Sequence, residues 1–433
     1  MPADLAAIDA ILKQVYRGNL VDLLNSDVRA YRSFSKAEKE QWEGKDFIIV
    51  PLRVGRNEGF GFGRPRGPVA EAGNQQHIQM KVDLKYGHGR INIDAATIKV
   101  AKTNRGSYKR PLAMEMDGLR EDFTDDMNRI IFGDGRGILA LVDVAGASTT
   151  ELTVDAPGGF SGDDNGARFL QPNMKIAILD ATGTTVLATR KVTQIGFSTT
   201  NDGQRVTLSQ AVSATQAPDN AIITRVPNLN VTEVEDTSYN REPMGLSGHI
   251  DDGTNVNLYH NLNRTTYDVT RSAVFANVGA LSTDKMQQAM DVAAQLGKGR
   301  ISEIWCHHSV RRSYAAIVAA NRVYMSDGGA NMHNAGWKGN LLDDDMKFGE
   351  AKIMVDKDAP FGTMFFCDTR YFVNYENTPG EWVDDDGHIL DRIPGQDTFE
   401  AMWRCFLNFA NEKPNASARL DGISTNLVVI HVR

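Results

Sequence analysis

The chain has 433 residues, 41% of them hydrophobic and 24% charged, the balance of an ordinary globular protein. Its 18 Phe, 11 Tyr and 5 Trp exclude intrinsic disorder, and no apolar run approaches the roughly 20 residues a spanning helix needs. With 47 Lys and Arg against 55 Asp and Glu, the net charge of −8 argues against a chain built to grip nucleic acid tightly.

The start, Met1-Pro2-Ala3-Asp4, shows no basic segment leading into an apolar core, so no secretory signal is expected. Residues 4–17 place Leu5, Ile8, Ile11, Leu12 and Val15 at helical spacing behind Asp4 as N-cap. That helix docks on its own domain or on a neighbour, and the sequence does not choose. Phe47–Leu52 then reads as a buried strand.

The next stretch is glycine-rich, with Gly59, Gly61 and Gly63 leading to Pro65 and Pro68. A phosphate cradle needs such glycines to open a helix whose amides face the ligand. Here the chain resumes instead as an alternating strand, Ile78–Tyr86. The better reading is a two-stranded excursion from Asp46 to Tyr86, reaching about 55 Å at full extension. A lone ribbon is marginal in water, so this one should rest on something else. Residues 52–90 carry Arg53, Arg56, Arg64, Arg66, Lys81, Lys85 and Arg90 against Glu58, Glu71 and Asp83. A basic arm on an acidic body suggests like subunits gripping one another.

Residues 107–132 give the clearest helix, with Leu112, Met116, Leu119, Phe123, Met127 and Ile130 in one apolar stripe. Pro111 fits near its start, and Gly133-Asp134-Gly135 stops it. Glu115, Asp117, Glu121, Asp122, Asp125 and Asp126 occupy the other faces, most simply as a solvated surface. From Ile138 to Val226 short β-prone runs alternate with Gly, Asn, Asp and Thr turns, which predicts a small inserted all-β domain. Beyond it, Ser282–Leu296 reads as a helix with Met286, Met290, Ala293 and Leu296 on its buried face. Strand Ile301–Trp305 and a helix through Val310, Tyr314, Ile317 and Val318 follow. The remaining third is strand-rich: Ala351–Val355, Thr363–Cys367, Tyr371–Tyr375, Thr398–Phe409 and Asn426–Val432.

Catalytic patterns are weak. Cys306, Cys367 and Cys405 are too few and too far apart for a disulfide framework and suit a reducing cytoplasm. His307 and His308, read as strand neighbours, should point to opposite faces and lack partners at metal-binding spacing. Asp251-Asp252, Asp343–Asp345 and Asp384–Asp386 read as solvated loop acids, without the calcium-loop pattern. Gly245-Leu246-Ser247-Gly248-His249 is no nucleophile elbow, because the second Gly stands one residue too early.

The order of these pieces resembles a tailed-bacteriophage major capsid protein of the Hong Kong-type fold. Carrying the likeness are Val50-Pro51-Leu52-Arg53-Val54-Gly55-Arg56-Asn57, Ala72–Gln76, Leu84–Ile91, and Met114–Leu119 through Asn128–Gly135. The resemblance implies an α+β fold with an N-terminal arm (1–45), an extended β-hairpin loop (46–92) and a peripheral domain with a spine helix (93–137). An inserted β domain (138–227), an axial domain with parts of the peripheral one (228–395) and C-terminal strands (396–433) would follow. It further implies a structural protein, not an enzyme, with no cofactor, catalytic residue or bound metal.

Its expected partners are copies of itself as hexamers and pentamers, a portal protein and, in some shells, a decoration protein. The shell would enclose double-stranded DNA without sequence-specific binding, have no membrane, and assemble in the host bacterial cytoplasm to become the virion capsid. Members with a built-in scaffolding domain carry it ahead of the loop; Phe47 leaves no room for one, so a separate scaffolding protein is expected. No Lys lies between Asp46 and Met80, which argues against the cross-linking seen in some members. The contact expected between subunits joins Phe60, Phe62, Arg64 and Arg66 of the loop to Glu121, Asp122 and Asp125 of a neighbour's helix. Two rival readings are an encapsulin-like cargo compartment and, from another class, a metal-dependent hydrolase using the acidic loops with His307 and His308.

Overall fold

A computed structural model describes residues 28–34, 38–41, 47–95, 111–163, 165–197, 204–320, 346–384 and 387–425. The expected helix at 4–17, the strand Asn426–Val432 and the acids Asp343–Asp345, Asp385 and Asp386 lie outside them. A short helix, Arg29–Phe34, precedes β1 (Glu38–Gln41), β2 (Phe47–Gly55), β3 (Gln76–Asp83) and β4 (Lys85–Asp94). A 22-residue helix, Pro111–Phe132, leads to β5 (Ile138–Val142), β6 (Thr149–Asp155), β7 (Lys175–Leu179), β8 (Val186–Phe197), β9 (Gln204–Val212) and β10 (Ile222–Arg225). Next come β11 (Leu258–Tyr259), β12 (Leu262–Asn263), β13 (Ala273–Phe275), helix Thr283–Gly297, β14 (Glu303–Cys306) and helix His308–Ala320. The chain closes with β15 (Lys347–Phe348), β16 (Ala351–Val355), β17 (Met364–Cys367), β18 (Phe372–Trp382), β19 (Asp391–Arg392), β20 (Thr398–Asn411) and β21 (Ala418–Leu420).

Two compact units share these elements. The smaller takes described residues from His88–Asp125 and Gly380–Arg404, and the larger takes Val28–Gly87, Asp126–Pro379 and the chain from Cys405. In the smaller unit Ile91, Ile93 and Ala401 form a core with Met116, Leu119, Trp382 and Leu390. Leu119 sits against Gly89, where an added Cβ would stand 3.0 Å from its side chain.

The larger unit holds the main core. Its six-stranded sheet, ordered β13-β21-β17-β14-β16-β15, packs with helices Thr283–Gly297 and His308–Ala320 around Ile304, Ile353, Met364 and Phe366. Ser282 caps the first helix by accepting from the Lys285 amide. Its stop is made by Lys298 in the left-handed region, not by a glycine. Gly297 and Gly299 serve another purpose: a Cβ on either would meet the Asn415–Ala416 backbone within 2.5 Å. Met286, Ala289 and Ala293 are buried on this helix, but Leu296, expected inside, is exposed because the buried stripe turns to Gly297.

Strands β10-β5-β6-β9-β8-β7 close into a barrel, also in the larger unit, filled by Leu152, Val154, Ile176, Ile178, Val192, Val206 and Leu208. Entry and exit strands are direct neighbours, with Ile138 opposite Thr224, so the barrel begins and ends at one place.

Other expectations need correction. Asp251 is not a solvated loop acid. It is fully buried, accepts from the Gly253, Asn255 and Val256 amides, and faces Arg419 at 3.1 Å and Arg264 at 3.6 Å. The long run Ile78–Tyr86 is not one strand, since Leu84 divides β3, which pairs with β2, from β4, which pairs with β20.

Candidate assembly surface

Strands β2 and β3 pair antiparallel from Phe47 opposite Asp83 to Gly55 opposite Gln76. Alternation gives this ribbon two unlike faces. Ile48, Val50, Leu52, Ile78, Met80 and Val82 pack on Tyr259, Leu262, Val373, Tyr375 and Ala410. The opposite face leaves Phe47 and Ile49 exposed, so the Phe47–Leu52 strand is half-buried rather than buried. Lys81 lies over the Phe47 ring at 4.9 Å, and its amide donates to Asn261 Oδ1 at 2.7 Å.

Beyond Gly55 the two arms leave this support, and residues 56–75 are almost all exposed. Asn57 Oδ1 accepts from the Gly59 amide at 2.7 Å. Gly59 and Gly73 face each other so closely that a Cβ on Gly73 would stand 2.8 Å from the Gly59 nitrogen. At the tip the Gly67 amide donates to the Arg64 carbonyl at 2.9 Å, closing a turn with Pro65 second and Arg66 third. Arg66 has φ +65°, the position where a type II turn favours Gly, which costs roughly 1–2 kcal/mol for a side chain.

The apolar side chains of this loop have almost nothing to rest on. Phe60 is 77%, Phe62 97% and Val69 92% exposed. The two rings meet edge to face, 5.2 Å between centroids. The excess charge is more local than the sequence implies, because Lys81, on the Phe47 ring, and two more of the seven basic residues are engaged within their own units. Lys85 Nζ donates to the Asn240 carbonyl at 2.9 Å, and Arg90 pairs with Glu400 at 2.5 Å. The structure thus brings Phe60 and Phe62 ring to ring and sets Arg64 and Arg66 in one turn. Glu121 and Asp122 are exposed and Asp125 half-buried on the Pro111–Phe132 helix. Asp126, the next acid, belongs to a structural pair with Arg225.

The residues considered for catalysis have other surroundings. His307 and His308 are not strand neighbours, because His308 opens a helix, and their rings stand 5.7 Å apart. His307 Nδ1 lies 2.9 Å from Ser309 Oγ, and burial together with Arg168 pushes its pKa down to about 3. Ser247 Oγ donates to the Phe132 carbonyl at 2.6 Å inside the core. All three cysteines are buried and unbridged, and burial raises Cys306 to about 12. Among the described residues no group of three or more His, Cys, Asp or Glu is placed to hold a metal ion. No helix there is long and apolar enough to cross a membrane.

Sequence reasoning missed the buried polar cluster of Asn128, Asp356 and Asp358, and the Arg264–Asp251–Arg419 group. Nothing in local spacing flags either, since Asn128 lies more than two hundred residues from Asp356 and Asp358, and Arg419 more than a hundred from Asp251 and Arg264.

No protein-family model matches the sequence, and no curated protein matches it. Solved structures do match. A chain of the cyanophage A-1(L) capsid asymmetric unit superposes with a TM-score of 0.53 at 10% identity, covering 96% of this chain and 98% of that one. The capsid of a native GTA particle gives 0.54 at 7% identity, covering 98% and 100%. The empty GTA particle gives 0.53 at 8% identity with the same coverage. At these identities the likeness is one of fold. The chain has the mixed α/β fold of these capsid proteins over nearly its whole length.

Proposed function

We propose that this chain is a major capsid protein, a structural subunit that assembles with its copies into an icosahedral shell around the double-stranded DNA of a tailed phage. The observation that carries this reading is the two-way coverage: capsid subunits and this chain match end to end, with little left over on either side. An enzyme grafted on such a fold would need a site of its own, and the reading assigns the chain no catalytic residue. Hexamers and pentamers supply the shell's two environments, with a separate scaffolding protein guiding assembly and a portal at one vertex. The inserted barrel and the long helix are read as a surface module and a spine.

Within that reading the loop tip grips a neighbouring subunit. Phe60 and Phe62 bury their rings there, while Arg64 and Arg66 meet carboxylates, with Glu121, Asp122 and Asp125 as the partners proposed. Such contacts are individually modest and sensitive to salt, which suits a shell that corrects errors before it closes.

The test is sedimentation of the full chain co-expressed with its scaffolding protein. The expected result is a fast-sedimenting particle that recruits most of the chain. A chain that stays at subunit size with the scaffold supplied overturns the reading.

A further inference from the structure

Asn128, fully buried on the long helix, gathers groups that the shell reading does not use. Its Nδ2 donates to Asp356 Oδ1 at 2.9 Å and to Asp358 Oδ2 at 2.7 Å. Its Oδ1 accepts from the Tyr31 amide at 3.0 Å. Asp356 also accepts from the Ala30 amide at 3.1 Å and from the Asp358 amide at 2.9 Å. From the connection between β6 and β7, Arg168 donates to the carbonyls of Asp358 and Ala359 at 3.2 and 3.3 Å. Three distant parts of the chain therefore meet on Asp356–Ala359: the 28–34 segment, the long helix and the barrel.

Several charged groups act on this junction. Two buried carboxylates share a single amide group. Arg168 and Arg129 both act on Asp358, yet each already faces a carboxylate of its own, Asp163 at 3.0 Å and Glu242 at 2.5 Å, while Arg29 and Arg32 stand on the 28–34 segment. Lys357, on the same segment, favours ionised Asp358, and Asp356 opposes it. Of the other charges lining the adjoining cavity, Asp134 is paired with Arg136. His307, beside Arg168, stays neutral because burial and that guanidinium hold its pKa down.

We propose that Asn128, Asp356 and Asp358 form a proton-sensitive clasp that holds the 28–34 segment and the barrel connection on the long helix, tighter when Asp358 is protonated. Burial, with Asp356 alongside, raises Asp358 to about 6 from an ordinary 3.8. The closed clasp thus takes up its proton near pH 6, and an opened, hydrated Asp358 does so near 3.8. The stability supplied by the proton is complete below about pH 4 and lost as pH rises through about 6. Opening should ease about tenfold per pH unit in that window, roughly a hundredfold in all, and stay level above it.

Hydrogen–deuterium exchange on the full chain tests this, read at peptides covering 28–34 and 165–170 and corrected for intrinsic exchange rates. Between about pH 4.5 and pH 7.5 both peptides should lose some tens-fold of protection, while the Thr283–Gly297 helix stays constant. Asp358→Asn should abolish the difference. Equal protection of the two peptides at both pH values in the unaltered chain overturns the clasp, and needs no variant. A dependence shared by every peptide, or one that survives Asp358→Asn, overturns it as well.

Discussion

Phe62 stands almost wholly in water beside Phe60, on a loop whose glycines hold its arms within backbone contact. Aromatic rings so placed contribute little beyond their mutual contact to the lone subunit and about 1.5–3 kcal/mol each once a partner covers them. An exposed arginine–carboxylate pair contributes under about 1 kcal/mol. Replacing Phe60 and Phe62 together by Ser should therefore reduce the assembled fraction more than replacing Arg64 and Arg66 by Gln, at matched concentration in sedimentation. Both variants should keep the parent's circular dichroism, since the tip lies outside every core. Unimpaired assembly of the Phe variant would remove the loop from the interface. Arg168 offers the opposite case, a buried residue whose loss strands its partners. Arg168→Met leaves Asp163 unpaired and two carbonyls without their donor, so unfolding in denaturant should show a loss of about 3–5 kcal/mol. A loss below about 1 kcal/mol would mean that water replaces the guanidinium freely.

Among the elements, glycine has two opposite meanings, and substitution by Ala separates them. Gly118 lies within the long helix with nothing inside 4 Å of an added Cβ. Gly118→Ala should stabilise by about 0.5–1 kcal/mol through helix propensity alone. At Gly299 the same Cβ would stand 2.2 Å from the Ala416 carbonyl, so Gly299→Ala should destabilise by about 1–3 kcal/mol. Thermal melts of the two variants should shift in opposite directions, and a shift in the same direction would contradict this reading. Which glycine is which is not written in the sequence, because the Asn415–Ala416 backbone that crowds Gly299 is over a hundred residues away. The same limit governs the strands. An apolar run marked β2, though as a buried strand rather than a half-buried one, alternation marked β3, and the turn-rich composition after Ile138 marked most strands of the barrel. Leu84 was invisible as a break, because β3 and β4 differ in their pairing partners, not in their local pattern. Leu296 was misplaced for a similar reason: a stripe of spacing does not say where the neighbouring chain ends. The loop tip was legible because its composition is odd in itself, whereas the Asn128 cluster exists only after folding.

For the whole molecule, the fold is that of capsid subunits, while the charge is divided between a basic loop and an acidic remainder. A basic tip with bare aromatic rings on an acidic chain is what the proposed contact with a copy of itself would cover. On the proposed reading, repetition of that one contact around closed rings would build the shell. The most direct measurement is electron microscopy of the particles formed when the chain is co-expressed with its scaffolding protein. Hollow shells whose reconstruction shows rings of five and six subunits, with the Phe60–Arg66 tip lying on an adjacent subunit, are the predicted result. Separate subunits, or particles in which that tip lies free in solvent, would contradict it.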